Sequence, residues 1–191
     1  MGLMELRGTI SRDRPLLVVA MHEEALHYGF ELPVLVTGPG KVHAAIAVAT
    51  LLAGERPSSI VNVGTAGALR AGLEGIHEIG TVSQHDFDDA GLHDITGQHF
   101  GAPIMIGDGL VLTTGDRFVA GGPVRDALAQ HADLVDMEGY AVAAACIAAD
   151  IPVRLIKIVS DDAGRDAAAS WVDGVADLAH ALSVWVNNNL L

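Results

Sequence analysis

PVLVTGPGKVHAAIAVATLLAGERPSSIVNVGTAG, residues 33–67, is the stretch whose reading decides the fold class. Its opening run, Pro33–Thr37, is short, continuous and apolar, and it ends at Gly38-Pro39-Gly40. Such a run bounded by turn signals reads as a strand buried on both faces. Lys41–Ala53 then carries a helical pattern, closed by Gly54 and Pro57. Ser59–Val63 is a second apolar strand, stopped by the turn Gly64-Thr65-Ala66-Gly67.

The same alternation continues outward. Leu16–Ala20 (LLVVA) reads as an earlier strand, and Glu78–Ser83, Leu110–Thr114 and Val153–Val159 as later ones. Leu134-Val135 opens a strand that leads into Asp136-Met137-Glu138. Helices are predicted over Val124–His131, Gly139–Asp150 and Ala176–Leu191, and the polar stretch Gln84–Gly101 reads as a loop. Strands alternating with helices predict an α/β fold with a mixed, twisted sheet flanked by helices. At 191 residues the chain is expected to form one domain, 1–191, with 1–15 as an N-terminal extension. There is no internal repeat and no low-complexity linker. The polar residues of interest follow strands directly, which is where open α/β sheets bind ligands.

Composition removes several classes of function. The formal net charge is -13, and the 11 Lys and Arg are scattered. Binding to nucleic acid or an anionic membrane needs clustered basic surface, so neither partner is expected. One cysteine, Cys146, precludes a disulfide within the chain and a four-cysteine zinc site. It lies in an Ala-rich run and reads as a small buried hydrophobe. The first 15 residues lack the apolar core of a signal peptide, and no run of 18 apolar residues exists, so a cytoplasmic location is expected.

Each polar motif has a bland reading beside a chemical one. Glu23 and Glu24 follow the first strand and could be no more than a solvated helix start. Gly38-Pro39-Gly40-Lys41 lacks the full spacing of a phosphate loop, and Gly64-Thr65-Ala66-Gly67 is not a dinucleotide fingerprint. As small-residue turns after strands, both still let backbone approach a ligand closely. His85, Asp86, Asp88, Asp89, His93 and Asp94 are metal-ligand types, but their spacing matches no metal motif, and no metal is expected. Asp136-Met137-Glu138 and Asp161-Asp162 are further acids at strand ends. Three acid-bearing strand ends in one sheet fit glycosidic cleavage, which uses carboxylates held in different environments.

AMHEEA, GPGKVHAA, NVGTAGAL, TTGDRF, VDMEGYA and IVSDDAG occur in this order between residues 16 and 190. Together they resemble the purine nucleoside phosphorylase/uridine phosphorylase superfamily, and most closely its methylthioadenosine/S-adenosylhomocysteine nucleosidases. The resemblance implies hydrolysis of the N-glycosidic bond of an adenosine-type, 5'-modified nucleoside by a homodimer without cofactor. It assigns Glu24 to the water, Glu138 to the ribose hydroxyls and Asp161, beside Ser160, to the purine N7. It places Thr65 and Met137 around the sugar, Phe118 and Val119 around the base, Trp171 over the 5' group, and Met21 and Asp136 among the substrate-binding residues.

Two departures stand out. Lys157 occupies the position of an Arg beside the nucleophilic water, keeping the charge without the planar fork. The stretch between Glu24 and Pro33 is too short for the family's hairpin. The alternatives are a phosphate-dependent phosphorylase and a nucleoside-binding member without catalysis. Against phosphate, the phosphorylases' first anion-binding Arg falls in the loop Met21-His22-Glu23-Glu24, and their second falls on Asn62. Lys157 is then the nearby cation that remains.

Overall fold

The computed structural model describes residues 4–29 and 31–191. In chain order its elements are β1 (Glu5–Arg7), β2 (Leu16–Val19), β3 (Val34–Val36), α1 (Lys41–Leu52), β4 (Ile60–Ala68), β5 (Ile76–Gln84) and α2 (Asp89–Thr96). They continue with β6 (Ile104–Met105), β7 (Leu110–Thr114), α3 (Gly122–Leu128), β8 (Leu134–Asp136), α4 (Gly139–Ala148), β9 (Val153–Asp161) and α5 (Ala167–Leu190).

Residues 33–67 do form strand, helix, strand: α1 carries the chain from β3 over to β4, with β2 inserted between the two strands. β2 is parallel to both. Every residue of β2 and β3 is buried, which is why both read as unbroken apolar runs rather than alternating ones. Beyond β4 the sheet closes on itself. β4 pairs with β8, β8 with β7, β7 with β5, β5 with β9, and β9 returns to β4. The result is a mixed sheet containing a ring of five strands, in which none of the five is a bare edge. β1, from the segment read as an extension, pairs antiparallel with β3.

Helices cover both faces. α1 and α4 close one side over Leu16, Val18, Leu35 and Ile60, with Val142 and Cys146 of α4 fully buried among them. α5 closes the other side through Leu182 and Val186 against Val19, Val61 and Ile156. Burying each such side chain contributes about 1.5–3 kcal/mol, so these two layers hold the strand ends in fixed relation.

Four elements depart from the sequence reading. Gly64-Thr65-Ala66-Gly67 does not stop its strand: β4 runs on to Ala68, because β9 supplies a ladder along its whole length. Gln84–Gly101 is not all loop. Helix α2 sits within it, capped by the Asp88 carboxylate accepting from the Gly91 amide and ended by left-handed Gly97. None of its residues is buried, so it has no apolar stripe to betray it. α3 starts two residues earlier than Val124, with Pro123 in its first turn where a missing N–H costs nothing. α5 begins at Ala167 rather than Ala176 and tolerates Gly174 in its interior, which places Trp171 on a helix over the sheet end.

Candidate active site

A cavity lies where the segments after β2, β3 and β7, the ends of β4, β8 and β9, and the start of α5 meet. Glu24, Asp161 and Glu138 all line it. So do Met21, Thr65, Phe118, Val119, Asp136, Met137, Ser160 and Trp171.

Glu23 and Glu24, indistinguishable in sequence, have opposite fates. Residues 22–27 form turns rather than a helix, and no hairpin strand occurs among the described residues between β2 and β3. Glu23 faces solvent, whereas Glu24 is 4% exposed. Four donors hold it. The Thr65 amide and hydroxyl give to Oε1 at 2.9 and 3.0 Å. The Ala20 and Met21 amides give to Oε2 at 3.2 Å each. Gly64 makes this possible: a Cβ there would stand 3.1 Å from Oε1.

Asp161 is seated the same way three residues along β4, where a Cβ on Gly67 would stand 3.1 Å from its Oδ1. The ladder skips a residue at this point: Ala66 pairs with Val159 but Gly67 with Asp161, leaving Ser160 as an extra residue in β9. Such a bulge breaks the strict alternation of side chains and re-aims the next one. Ser160 Oγ donates to Asp161 Oδ2 at 2.6 Å, and the Ala163 amide to Oδ1 at 2.8 Å. Ala163 is buried with φ 51, a left-handed conformation that is rare for alanine. Arg125 clamps this turn by donating to the Asp162 carbonyl at 2.8 Å.

Glu138 is 8% exposed, at the N-terminus of α4. Its Oε1 accepts the Gly40 amide at 2.7 Å, which ties the Gly38-Pro39-Gly40 turn to the cavity. Burial, and then the neighbouring Asp136 carboxylate, push its pKa up to about 8.

Lys157 does not line the cavity. It is 2% exposed, and its ammonium donates to Asp136 Oδ2 at 2.8 Å, beneath the site. Asp136 also accepts from Thr114 Oγ1 at 2.6 Å and from the Gly139 amide at 2.9 Å. Burial pulls the lysine's pKa down, but Asp136 and Glu138 more than offset that, and it stands above the usual value. The cation that does line the cavity is Arg117, exposed and next to Phe118. The sequence reading passed over it, although Gly115-Asp116-Arg117-Phe118 after a strand carried the signal. Ala20, Pro39, Ala66, Gly67 and Val135 complete the wall, small or apolar residues with no chemistry to single them out.

Among the described residues, no cluster of three or more His, Cys, Asp or Glu is arranged to hold a metal. The acids of the 85–94 stretch are used within the chain: Asp86 pairs with Lys41, and Asp89 accepts from His99 and the amides of Phe100 and Gly101. No helix among the described residues is long and apolar enough to cross a membrane.

A phosphorylase superfamily profile matches residues 98–183. A 5'-methylthioadenosine/S-adenosylhomocysteine nucleosidase of Bacillus velezensis is 32% identical over 205 residues, covering 89% of this chain and 87% of that protein. The Helicobacter pylori nucleosidase of the same name, solved with butyl-thio-DADMe-Immucillin-A, superposes with a TM-score of 0.80 at 20% identity, covering 92% of this chain and 97% of that one. Futalosine hydrolase of Helicobacter pylori superposes at 0.79 and 19% identity, covering 92% and 96%.

Proposed function

The chain belongs to the phosphorylase superfamily, among its 5'-methylthioadenosine/S-adenosylhomocysteine nucleosidases, and from that premise we propose how it hydrolyses the N-glycosidic bond of a 5'-modified adenosine. The observation that carries the assignment of residues is the seating of two carboxylates on one strand. Glu24 rests against Gly64 and Asp161 against Gly67. Three residues of strand span about 10 Å, enough to put a water on one side of a sugar carbon and a leaving base on the other.

Cleavage of the C1'–N9 bond builds positive charge on the ribose and negative charge on the purine. Asp161, braced by Ser160 and Ala163, meets N7 and delivers the proton that makes the base a better leaving group. Glu24 holds water against C1' and takes its proton as the new C–O bond forms. Glu138 grips the ribose hydroxyls and Met137 lies along the sugar. Phe118 and Val119 bound the base, and Trp171 bounds the 5' substituent with a large apolar face. No cofactor takes part.

The nucleophile is water rather than phosphate. A phosphate needs strong fixed donors, above all Arg. The loop after β2 carries two acids instead. Asn62 is buried with its Nδ2 committed to the Val18 carbonyl at 3.0 Å. Lys157 is neutralised by Asp136, and Arg117 is one exposed guanidinium on the base side. We further propose a cytoplasmic homodimer: α1 exposes Val42 and Ile46, one turn apart, and the neighbouring α4 exposes Ile147, apolar side chains that a second copy would cover.

A substrate panel tests this reading. Adenosine, 5'-methylthioadenosine, S-adenosylhomocysteine and futalosine are incubated with the enzyme, and free base is measured by chromatography. The 5'-thio adenosines are expected to be cleaved faster than adenosine. Release of base from none of them overturns the function.

A further inference from the structure

Trp171 touches more than the 5' end of the cavity. Its indole Nε1 lies 3.0 Å from Thr65 Oγ1, and that hydroxyl lies 3.0 Å from Glu24 Oε1. An indole nitrogen donates and cannot accept, while a hydroxyl has one proton and two lone pairs. The contact from Trp171 therefore occupies a lone pair of Thr65 and leaves its proton for the carboxylate. The three side chains form a chain of hydrogen bonds that runs one way, Nε1–H to Oγ1–H to Oε1, each bond polarising the next.

The consequence lies in how Glu24 shares its acceptor sites. Each oxygen accepts two donors, but Oε1 holds the closer pair, both from Thr65 at 2.9 and 3.0 Å, whereas Oε2 holds two backbone amides at 3.2 Å, the pair a water displaces more readily. A water arriving at Glu24 meets a firmly held oxygen and a loosely held one, so it is accepted at Oε2. If the Thr65 hydroxyl turned away, both oxygens would compete for the water and its aim at the sugar carbon would be lost.

We propose that Trp171 is a positioning residue for Glu24, acting through Thr65, so that the first turns of α5, which cover the cavity, also set the carboxylate that holds the water. The inference rests on the reading of Glu24 given above. It assigns two tasks to one side chain: the ring face walls the 5' group, and the ring edge holds the hydroxyl. Phenylalanine separates them, since it keeps a wall and has no donor.

The test compares Trp171→Phe and Trp171→Ala on 5'-methylthioadenosine. A net hydrogen bond of about 0.5–1.5 kcal/mol corresponds to a loss of about 2- to 13-fold in kcat for Trp171→Phe, with KM little changed. Trp171→Ala is expected to lose the same kcat and also to raise KM. In a Thr65→Val background, Trp171→Phe should lower kcat no further. A second readout does not depend on turnover. The chain has two tryptophans, Trp171 and Trp185, hence two indole N–H signals in a nitrogen-15 spectrum. Thr65→Val should shift one of them and speed its exchange with water, and leave the other in place. If wild-type enzyme is active but Trp171→Phe keeps full kcat, or if neither indole signal responds to Thr65→Val, the positioning role is overturned while the nucleosidase reading stands. A wild-type enzyme inactive on every nucleoside overturns both.

Discussion

At the scale of single residues, burial divides groups that look alike in sequence. Glu23 and Glu24 are neighbours of one type, yet Glu24 is the one enclosed by four donors. Asp161 and Asp162 divide likewise, with Asp162 exposed and Asp161 seated on Gly67. Asp161→Asn keeps the shape and removes the transferable proton, so kcat on an adenosine substrate should fall about 100- to 10,000-fold. Steady-state kinetics showing near-wild-type turnover would remove Asp161 from the acid's role. Glu138 makes a prediction about stability. Its carboxyl is favoured in the protonated form by burial and by Asp136, so its folded pKa lies above its ordinary value of 4.5, at about 8. Its contribution to the free protein's stability is complete below about 4.5 and is lost as pH rises through about 8. Thermal unfolding of Glu138→Gln should lack this component. Parallel pH dependences for the two proteins over that window would contradict it.

At the scale of elements, motifs were legible where chemistry sits at the end of an apolar strand. Leu16–Val19, Leu134–Asp136 and Val153–Asp161 each announce their acid by the contrast between a buried run and the polar residue that follows. What was not legible depended on partners far away in the chain. β4 passes through two glycines because β9 pairs beside them, and α2 has no buried face for a period to mark. Lys157 shows the same limit. The resemblance puts it beside the nucleophilic water, but only the tertiary fold reveals that Asp136 from β8 takes its charge. That pair is almost fully enclosed, and removing one member of such a pair costs about 3–5 kcal/mol because the other is left charged and buried. Lys157→Met should therefore lower stability in urea by about that amount. A loss below about 1 kcal/mol, in the range of exposed pairs, would mean that the pair is not held as described.

At the scale of the whole molecule, the closed ring of five strands, with β2 beside it, gathers carboxylates from three distant chain segments, Glu24, Asp136 with Glu138, and Asp161, around one cavity. The net charge of -13 and the exposed apolar residues of α1 and α4 belong to this scale too. Light scattering should give twice the mass of the chain, and Ile46→Glu with Ile147→Lys should shift the population toward monomer. A monomeric wild-type protein at assay concentration would contradict the proposed assembly. The central claim is that a carboxylate-held water, not phosphate, attacks the sugar. Its most direct measurement is base release from 5'-methylthioadenosine in phosphate-free buffer and again with excess phosphate. Equal rates are predicted, with 5-methylthioribose as the sugar product in both. Base release that requires phosphate, with 5-methylthioribose-1-phosphate accumulating in equal amount, would contradict the claim.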